Sequence, residues 1–393
     1  MQRLSKTRTE LPEMLVLDIL SKLPVESLIR FKCVCKSWSS SFQTPFFITQ
    51  HHHSNLRNNN LNLLLQRCNG NTYLDLSYFS RLSTEKGQNF SLKQNIQLPF
   101  SEYFSHELTV QGPRNGILCL EFGDNICLWN PSTREYKILP QSPIQRPPSV
   151  PPSVSNTSFG CVGFGYDSQT DDYKVLRFVI NSFSYYYDGV NIYSHAIQQV
   201  DLYSLKGNSW KEISDPGIIA HYATLFDIYV NGFYYWHATE ASGDIILSFD
   251  MVNERFSTLP LPEFDEGFDI SHHLELLNFN GLLGAIVYPR EGTLKSFDIL
   301  VMSGSWTKLF SIESVPGVER PLGFWKNGEL FLESSDDELV LFDPSTRGLK
   351  NLGFHAYKGT MQIIAYAESL VPLNGRVEHG ELVLRRPVGG PSN

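Results

Sequence analysis

The chain has 393 residues, of which 41% are hydrophobic and 13% aromatic, and it carries a formal net charge of −9. This length accommodates a small module plus one large or two medium-sized domains, with ample apolar content for a core. Residues 1–50 hold seven Lys/Arg against four Asp/Glu, so the remainder holds 25 against 37, a net charge of −12. An acidic body repels nucleic-acid phosphates, which argues against a nucleic-acid partner and favours a basic protein.

Cysteine spacing and hydropathy argue against further classes of protein, namely zinc-binding, secreted and membrane-spanning proteins. The six cysteines form no CxxC pair and no Cys/His spacing typical of a zinc site. The sequence shows neither an apolar signal segment at its N-terminus nor a run of 18 apolar residues. We therefore expect a cytoplasmic or nuclear protein with free thiols, no metal, no cofactor and no membrane partner.

The first structured stretch, residues 11–47, predicts three short helices. Pro12 and Pro24 stand where helices can begin, because the first helical position needs no N–H donor. Further along, apolar residues recur at the i, i+3, i+4, i+7 and i+11 spacing of one helix face. So small a unit cannot cover this apolar surface alone. The surface either binds a partner protein or packs, as a helical cap, on the rest of the chain.

The residues of this stretch, LPEMLVLDILSKLPVESLIRFKCVCKSW, closely resemble a plant F-box in order and spacing. The resemblance implies an F-box at residues 5–50 that binds a Skp-type adaptor and thereby joins a cullin and a RING protein in a ubiquitin ligase. It also implies that nine residues form or support the docking face. These are Leu11, Pro12, Leu20, Leu23, Pro24, Leu28, Val34, Cys35 and Trp38.

Residues 51–60 read HHHSNLRNNN, which is polar and low in complexity. Three consecutive histidines raise the question of a metal site, but adjacent side chains point in different directions and no acidic or Cys partner is near. We therefore expect a solvated linker between the F-box and the rest of the chain.

After this linker, strand–turn–strand signals repeat about every 40 residues. Six strands end in a polar turn, at spacings of 37, 37, 46, 53 and 40 residues, and four Asn-Gly pairs supply the positive φ of tight hairpins. A unit of this size is typical of a propeller blade. The six turn residues are Asn130, Asp167, Ser204, Asp250, Ser303 and Asp343, and the Asn-Gly pairs begin at Asn115, Asn231, Asn280 and Asn327.

The predicted fold is therefore a multidomain α + β chain. A three-helix module is followed at residues 61–372 by an all-β, kelch-like propeller of six blades, and residues 373–393 are expected to be a disordered tail. A pair of β-sandwiches is the alternative for the β region.

No motif of catalytic chemistry accompanies the repeats. Gly163-Phe164-Gly165 ends on a turn rather than opening a helix, so it predicts no phosphate cradle, and neither GxSxG nor HExxH occurs. The histidines at positions 221, 237, 272 and 273 lack ligand spacing and are interpreted as core or surface residues. We predict a non-catalytic protein, with an enzyme built on the propeller as the less favoured alternative.

Two segments are candidates for binding a target protein. The first is a tyrosine cluster, Tyr185, Tyr186 and Tyr187, because tyrosines on loops give a large contact area at low entropic cost. Its alternative is a Tyr-rich hairpin packed on its neighbour. The second is an acidic loop, either a solvated face or a docking patch for a basic partner. Its residues are Glu263, Asp265, Glu266 and Asp269.

Stretches such as GILCLEFGDNICLWNPSTREYKILP and RPLGFWKNGELFL resemble the F-box-associated domain of plants, most closely that of the S-locus F-box group and the S-locus F-box brothers. The resemblance implies the substrate-recognition subunit of an SCF-type ubiquitin ligase, which directs targets to ubiquitination and proteasomal degradation. In the S-locus group the target is an S-ribonuclease in pollen self-incompatibility. A defence or signalling protein is the alternative target.

Overall fold

In the computed structural model, a helical module precedes an all-β region that extends to residue 373. In the described part of the chain the helices are followed by 25 strands and one short 3₁₀ turn, Lys326–Gly328. None of the described helices combines the length and apolar character that crossing a membrane needs. The structure describes residues 11–68, 77–84, 90–96, 98, 108–144, 155–187, 190–221, 226, 228–263 and 272–373.

The helical module (residues 11–57) contains four helices. Pro12 and Pro24 occupy the N-cap positions of the first two, so each proline directly precedes its helix, within one residue of the predicted position. The break between α1 and α2 therefore coincides with a residue that cannot donate a backbone hydrogen bond. The helices are α1 (Glu13–Leu20), α2 (Val25–Phe31), α3 (Lys36–Ser41) and α4 (Pro45–Arg57).

The fourth helix corrects the expectation of three helices followed by a solvated linker at residues 51–60. Thr44 caps α4 by accepting a hydrogen bond from the Phe47 N–H (3.3 Å), and Pro45 stands at its start. His51 lies one turn after Phe47 on the same helix face, and both are fully buried. Burial of this face overrides the polar composition that suggested a linker.

The β region is a six-bladed propeller, as the repeats predicted, and each blade is an antiparallel sheet. Blade 1 contains β1 (Leu61–Cys68), β2 (Ser77–Leu82) and β3 (Leu92–Ile96). Blade 2 contains β4 (Thr109–Arg114), β5 (Ile117–Phe122), β6 (Asn125–Asn130) and β7 (Glu135–Ile138). Blade 3 contains β8 (Ser155–Asp167), β9 (Asp172–Tyr187), β10 (Val190–Ser204) and β11 (Ser209–Ile213). Blade 4 contains β12 (Ile219–Ala220), β13 (Tyr229–Val230), β14 (Phe233–Glu240), β15 (Gly243–Asp250) and β16 (Arg255–Leu259). Blade 5 contains β17 (His272–Phe279), β18 (Leu282–Pro289), β19 (Leu294–Ser303) and β20 (Ser305–Pro316). Blade 6 contains β21 (Val318–Phe324), β22 (Leu330–Ser334), β23 (Glu338–Asp343) and β24 (Gly348–His355).

The last strand, β25 (Gln362–Ala367), closes the ring. It pairs antiparallel with β1, with Leu61 opposite Ala367 and Gln66 opposite Gln362, and so supplies the fourth strand of blade 1. Strands almost 300 residues apart in the sequence thus complete one sheet. Closure of this kind protects the edges that an open array of blades would expose.

The four Asn-Gly pairs form tight hairpins, as predicted. The pairs join β4 to β5, β13 to β14, β17 to β18 and β21 to β22, and both residues have positive φ, for example 47° and 80° at Asn115 and Gly116. Two consecutive positive φ values define the type I′ turn, whose twist matches that of the paired strands. This local signal is the most accurate part of the sequence prediction.

The six polar turns do not fall one to a blade. Five join the last two strands of blades 2 to 6, whereas Asp167 joins the first two strands of blade 3. Blade 3 thus contains two of them and blade 1 none. At Asp167 and Asn130 alike, the Asx side chain accepts hydrogen bonds from N–H groups two and three residues ahead. This cap suits any short hairpin, which explains why the motif marks turns rather than blades.

Because neighbouring strands are antiparallel, the connections of every blade alternate between two ends of the propeller. We call the end that carries the four Asn-Gly turns and the six polar turns the lower end, and the opposite end the upper end. The helical module contacts the lower end. There, the Lys326 ammonium, in the first turn of blade 6, donates to the Asn59 carbonyl just after α4 (2.9 Å).

Gly163 and Gly165 provide space between blades 3 and 4. A Cβ atom on Gly163 would lie 2.5 Å from the Trp236 ring, whereas one on Gly165 would meet the Met251 side chain at the same distance. Trp236 and Met251 are both fully buried. The Gly-Phe-Gly motif is therefore a packing feature of adjacent blades.

These two glycines give a matched test of blade packing. We expect Gly163→Ala to lower the free energy of unfolding by about 1–3 kcal/mol, because the rigid indole of Trp236 must move. Gly165→Ala should cost less, because the flexible thioether chain of Met251 can rotate away. Denaturant unfolding of both variants checks this order, and equal losses would contradict it.

Candidate docking and recognition surfaces

The helical module exposes an unusual share of apolar surface. Of 15 large hydrophobic residues exposed in the described part of the chain, eight lie in residues 11–57. Leu11, Met14 and Val34 have 59%, 67% and 61% of their surface accessible. Such a concentration on a unit of this size indicates a protein-binding surface. The eight are Leu11, Met14, Leu15, Ile19, Ile29, Val34, Phe46 and Leu56.

The nine predicted docking residues fall into two groups, one exposed at the surface and one in the core beneath it. Leu20 and Leu28 are buried, and Leu23 and Trp38 are half-buried around them. The first two belong to a core that they form with Val25, Phe42 and Phe47. The remaining five predicted residues reach the surface. They are Leu11, Pro12, Pro24, Val34 and Cys35.

Sequence reasoning missed several exposed apolar residues of α1, namely Met14, Leu15 and Ile19. This helix is apolar nearly all round, with Asp18 as the polar exception in residues 14–20. A helix without a polar face offers no periodic signal that separates its buried side from its exposed side. The distinction depends on tertiary contacts.

Aromatic rings hold the supporting core in place. Trp38 packs between Phe31 and Phe42, with ring centroids 5.8 Å and 6.5 Å away, and Phe47 extends the row at 4.9 Å from Phe42. Cys35 begins α3, where its sulfur accepts a hydrogen bond from the Trp38 N–H (3.5 Å). Cys35 thus orients the helix that carries Trp38, in addition to being exposed.

Two buried histidines of α4 attach this helix to its surroundings. His51 Nε2 donates to the Leu23 carbonyl (2.9 Å) at the break between α1 and α2. Burial lowers the pKa of His51, although the Leu23 carbonyl and the Glu368 carboxylate oppose the shift. The pKa of His52 is also lowered, mainly by burial. Both rings are therefore neutral in the folded protein near pH 7.

The candidate tyrosines lie on a strand of a hairpin, which was the alternative to a recognition loop. Tyr185, Tyr186 and Tyr187 end β9, and they pair with β10 in a hairpin at the upper end, with a register shift near Tyr193. Strand pairing continues through a segment whose tyrosines are good strand formers. Their side chains lie outside the described part of the structure.

Of the predicted acidic loop, Glu263 is described, and Asp265, Glu266 and Asp269 lie outside the described residues. Glu263 follows β16 and precedes β17, so it belongs to an upper-end connection. Another upper-end turn, between β22 and β23, contains the exposed Asp336. Topology therefore puts these acidic residues and the β9–β10 hairpin at the same end.

Polar side chains at the upper end of blade 4 form a hydrogen-bonded chain. Thr239 donates to Asp244 (2.6 Å) and is bonded to His221 Nε2 (2.7 Å), and the His221 and His237 ring centroids are 5.1 Å apart. In the ranges that the structure describes, no three His, Cys, Asp or Glu residues are arranged to hold a metal ion. These hydrogen-bonded side chains order the upper rim of blade 4.

Comparison with known families identifies both parts of the chain. Residues 61–312 match the F-box associated beta propeller domain, and residues 9–49 match the F-box domain. The chain belongs to the F-box-associated β-propeller family and begins with an F-box. An F-box joined to a propeller is the architecture of a substrate-recognition adaptor of SCF-type ubiquitin ligases, a class that binds a Skp-type adaptor and is typically non-catalytic.

Similar proteins in Arabidopsis thaliana share this architecture over most of their length. F-box protein At3g07870 is 28% identical, and the match covers 92% of this chain and 91% of that protein. F-box/kelch-repeat protein At3g23880 is 27% identical, with 93% and 96% covered. F-box protein CPR1 is 26% identical, with 87% and 84% covered. The similarity therefore extends over most of this chain and over most of each of these relatives.

The exposed part of the docking face can be tested separately from its core. Val34→Asp should abolish capture by a plant Skp-type adaptor and leave the melting temperature nearly unchanged, because this side chain is 61% exposed. The matched control is Leu294→Asp, a 59% exposed leucine at the upper end of blade 5, which should retain capture. Undiminished binding by Val34→Asp in a pull-down would remove Val34 from the docking face.

The two buried histidines predict a pH dependence of the module. Because folding favours the neutral rings, their stabilisation is complete above pH 6.5, the ordinary pKa, and is lost as the pH falls below it. Amide exchange of the module's helices should therefore accelerate between about pH 7 and pH 5, after correction for intrinsic rates.

Replacing both His51 and His52 by Gln, which keeps an N–H donor, should flatten this pH response. His53→Gln is the control, since His53 is exposed on the same helix. A pH response that persists unchanged in the double variant would assign the effect to other groups.

Proposed function

We propose that this chain bridges a Skp-type adaptor and a protein target, with the adaptor on the exposed apolar face of the helical module and the target at the upper end of the propeller. One observation carries the proposal: the two candidate surfaces lie at opposite ends of one connected body. The module contacts the lower end through Lys326 and Asn59, whereas Glu263, Asp336 and the β9–β10 hairpin belong to the upper end.

The chemistry of such a bridge is proximity. Binding of both partners raises the effective concentration of target lysines near a ubiquitin-charged enzyme, and other subunits perform the transfer. Removal of the target by ubiquitination and proteasomal degradation would follow.

A basic protein is the target class that the charge distribution favours. The chain outside residues 1–50 has a net charge of −12. Together with the resemblance to the S-locus F-box group, this leads us to propose an S-ribonuclease in pollen self-incompatibility as the target. Affinity capture from pollinated styles should return such a ribonuclease, which the style secretes. Capture of a defence or signalling protein instead would keep the adaptor role and change the target.

Charge removal at the upper end tests where a basic target binds. Changing Glu263, Asp265, Glu266 and Asp269 together to Ser should lower the association rate with a basic S-ribonuclease roughly tenfold at low salt, because steering depends on local charge. The difference should shrink between about 0.05 M and about 0.5 M salt, as screening increases. Stopped-flow fluorescence provides the measurement.

The control for this prediction removes charge elsewhere. Glu13, in α1 of the helical module, and Asp171, in the lower-end turn between β8 and β9, are exposed and lie away from the upper end. Changing both to Ser should alter the association rate less per charge removed than the upper-end substitutions do. Equal effects per charge would indicate that net charge, rather than the upper end, steers the target.

A further inference from the structure

The residues that follow the closing strand form a strap, residues 368–373, along the lower end of blade 2. Asn130 Nδ2 donates to the carbonyls of Ser369 (3.1 Å) and Val371 (3.0 Å). The Ser369 N–H in turn donates to Ser132 Oγ (3.2 Å). These bonds connect the strap to the first residues of the β6–β7 turn. The strap is therefore fixed to the propeller.

The same strap completes the core of the helical module. Leu370 is 6% exposed, and its side chain packs among the buried apolar residues of α1, α2 and α4 rather than against a blade. A residue near the C-terminal end of the described chain thus belongs to the hydrophobic core of the N-terminal module. Its buried neighbours in this core are Leu20, Val25, Leu28, Phe42 and Phe47.

Glu368 makes a second connection, at the start of α2. Its Oε2 accepts a hydrogen bond from the Val25 N–H (2.7 Å), and Val25 is the first residue of a helix whose N-cap, Pro24, makes no side-chain cap. A carboxylate is the favoured partner for the exposed N–H groups of a helix start. The cap comes from a residue 343 positions away in the sequence.

Glu368 also contacts two further elements. Its Oε1 accepts from Arg81 Nη2 of β2 (3.4 Å), and its backbone carbonyl accepts from His52 Nδ1 of α4 (3.3 Å). One residue thus links two helices of the module to blade 1. Because these contacts come from different directions, they restrict rotation of the module as well as its separation from the propeller.

We propose that Glu368 and Leu370 are positioning residues that hold the helical module in one orientation against the propeller. Pro24 of the predicted docking face immediately precedes Val25, so the Glu368 bond fixes that face directly. This proposal rests on the proposed function only for the identity of the partner that the module binds. For a bridge that works by proximity, a fixed orientation sets how target lysines meet the transfer site.

The strap also makes module orientation depend on ring closure. Residues 368–373 directly continue β25, and β25 pairs with β1 to complete blade 1. A chain whose ring is open therefore lacks both the α2 cap and Leu370 at the module. Only the closed propeller presents the docking face in its fixed orientation.

Distance measurement between two spin labels tests the proposal on the full chain. We would place one label at His53→Cys on α4 and one at Ser335→Cys at the upper end, since both positions are exposed. Cys33 and Cys35 are exposed and would be changed to Ser, whereas the other four cysteines are buried. This labelled reference chain should give one narrow distance distribution.

The double variant Glu368→Ala/Leu370→Ala should lose the single narrow peak, while the propeller melts as before. The conservative variants Glu368→Gln, which keeps an acceptor for the Val25 N–H, and Leu370→Met, which keeps volume, should restore it. Pro372→Ala, at an exposed position of the same strap, should leave the peak unchanged. Rescue by the conservative changes separates positioning by these contacts from a general loss of stability.

A distribution in the double variant as narrow as that of the reference would overturn the proposal. If amide exchange shows that the module unfolds in the double variant, the distance distribution of the single variant Glu368→Ala tests the proposal instead, because this change leaves the hydrophobic core intact. Broadening with a protected module supports positioning, and no broadening overturns it. If the chain without labels or cysteine changes failed to capture a Skp-type adaptor but the distances changed as expected in the labelled chains, the proposed function would fail and the positioning role would stand.

Discussion

The pairing of β25 with β1 is the constraint on which the rest of this structure depends. A propeller has no hydrophobic centre of its own, and each blade buries its faces against its two neighbours. Without the last strand, blade 1 would have three strands, and the edge of β1 would be exposed. Closure therefore determines whether the six blades form a ring, and it brings the two ends of the described chain together.

The ring of blades also has two ends with different kinds of connection. Antiparallel strands send the Asn-Gly and Asx turns to the lower end and the connections between blades to the upper end. Short capped turns form a regular surface that a second module can pack on. Some connections between blades, such as the one that contains Glu263, are longer, and longer connections tolerate variation in sequence. The helical module contacts the lower end, and we propose that a protein target binds at the upper end.

Local signals in the sequence predicted much of the fold. The Asn-Gly hairpins needed no tertiary information, since positive φ at two consecutive residues is a property of the pair itself. The six polar turns gave the right number of blades, although two of them lie in blade 3 and none in blade 1. The docking motif was recognised from the order and spacing of its residues, and the matching family domain spans residues 9–49. The helix at residues 51–57 was missed because its polar residues face a core that only the folded chain creates.

Long-range contacts are what the sequence could not show. Nothing near position 368 indicates a helix cap, because its partner, Val25, is 343 residues away. For the same reason Leu20 and Leu28 could not be separated from the exposed residues of the docking face. Their burial depends on the aromatic row from Phe31 to Phe47 and on Leu370.

Co-purification with a plant Skp-type adaptor tests the central claim most directly. The intact chain would be compared with one beginning at Asn58, which lacks the helical module but retains the 25 strands that the structure describes. We predict that the intact chain captures the adaptor and that the shortened chain, verified as folded by its thermal transition, does not. Failure of the intact, folded chain to capture the adaptor, or equal capture by the shortened chain, would contradict the account.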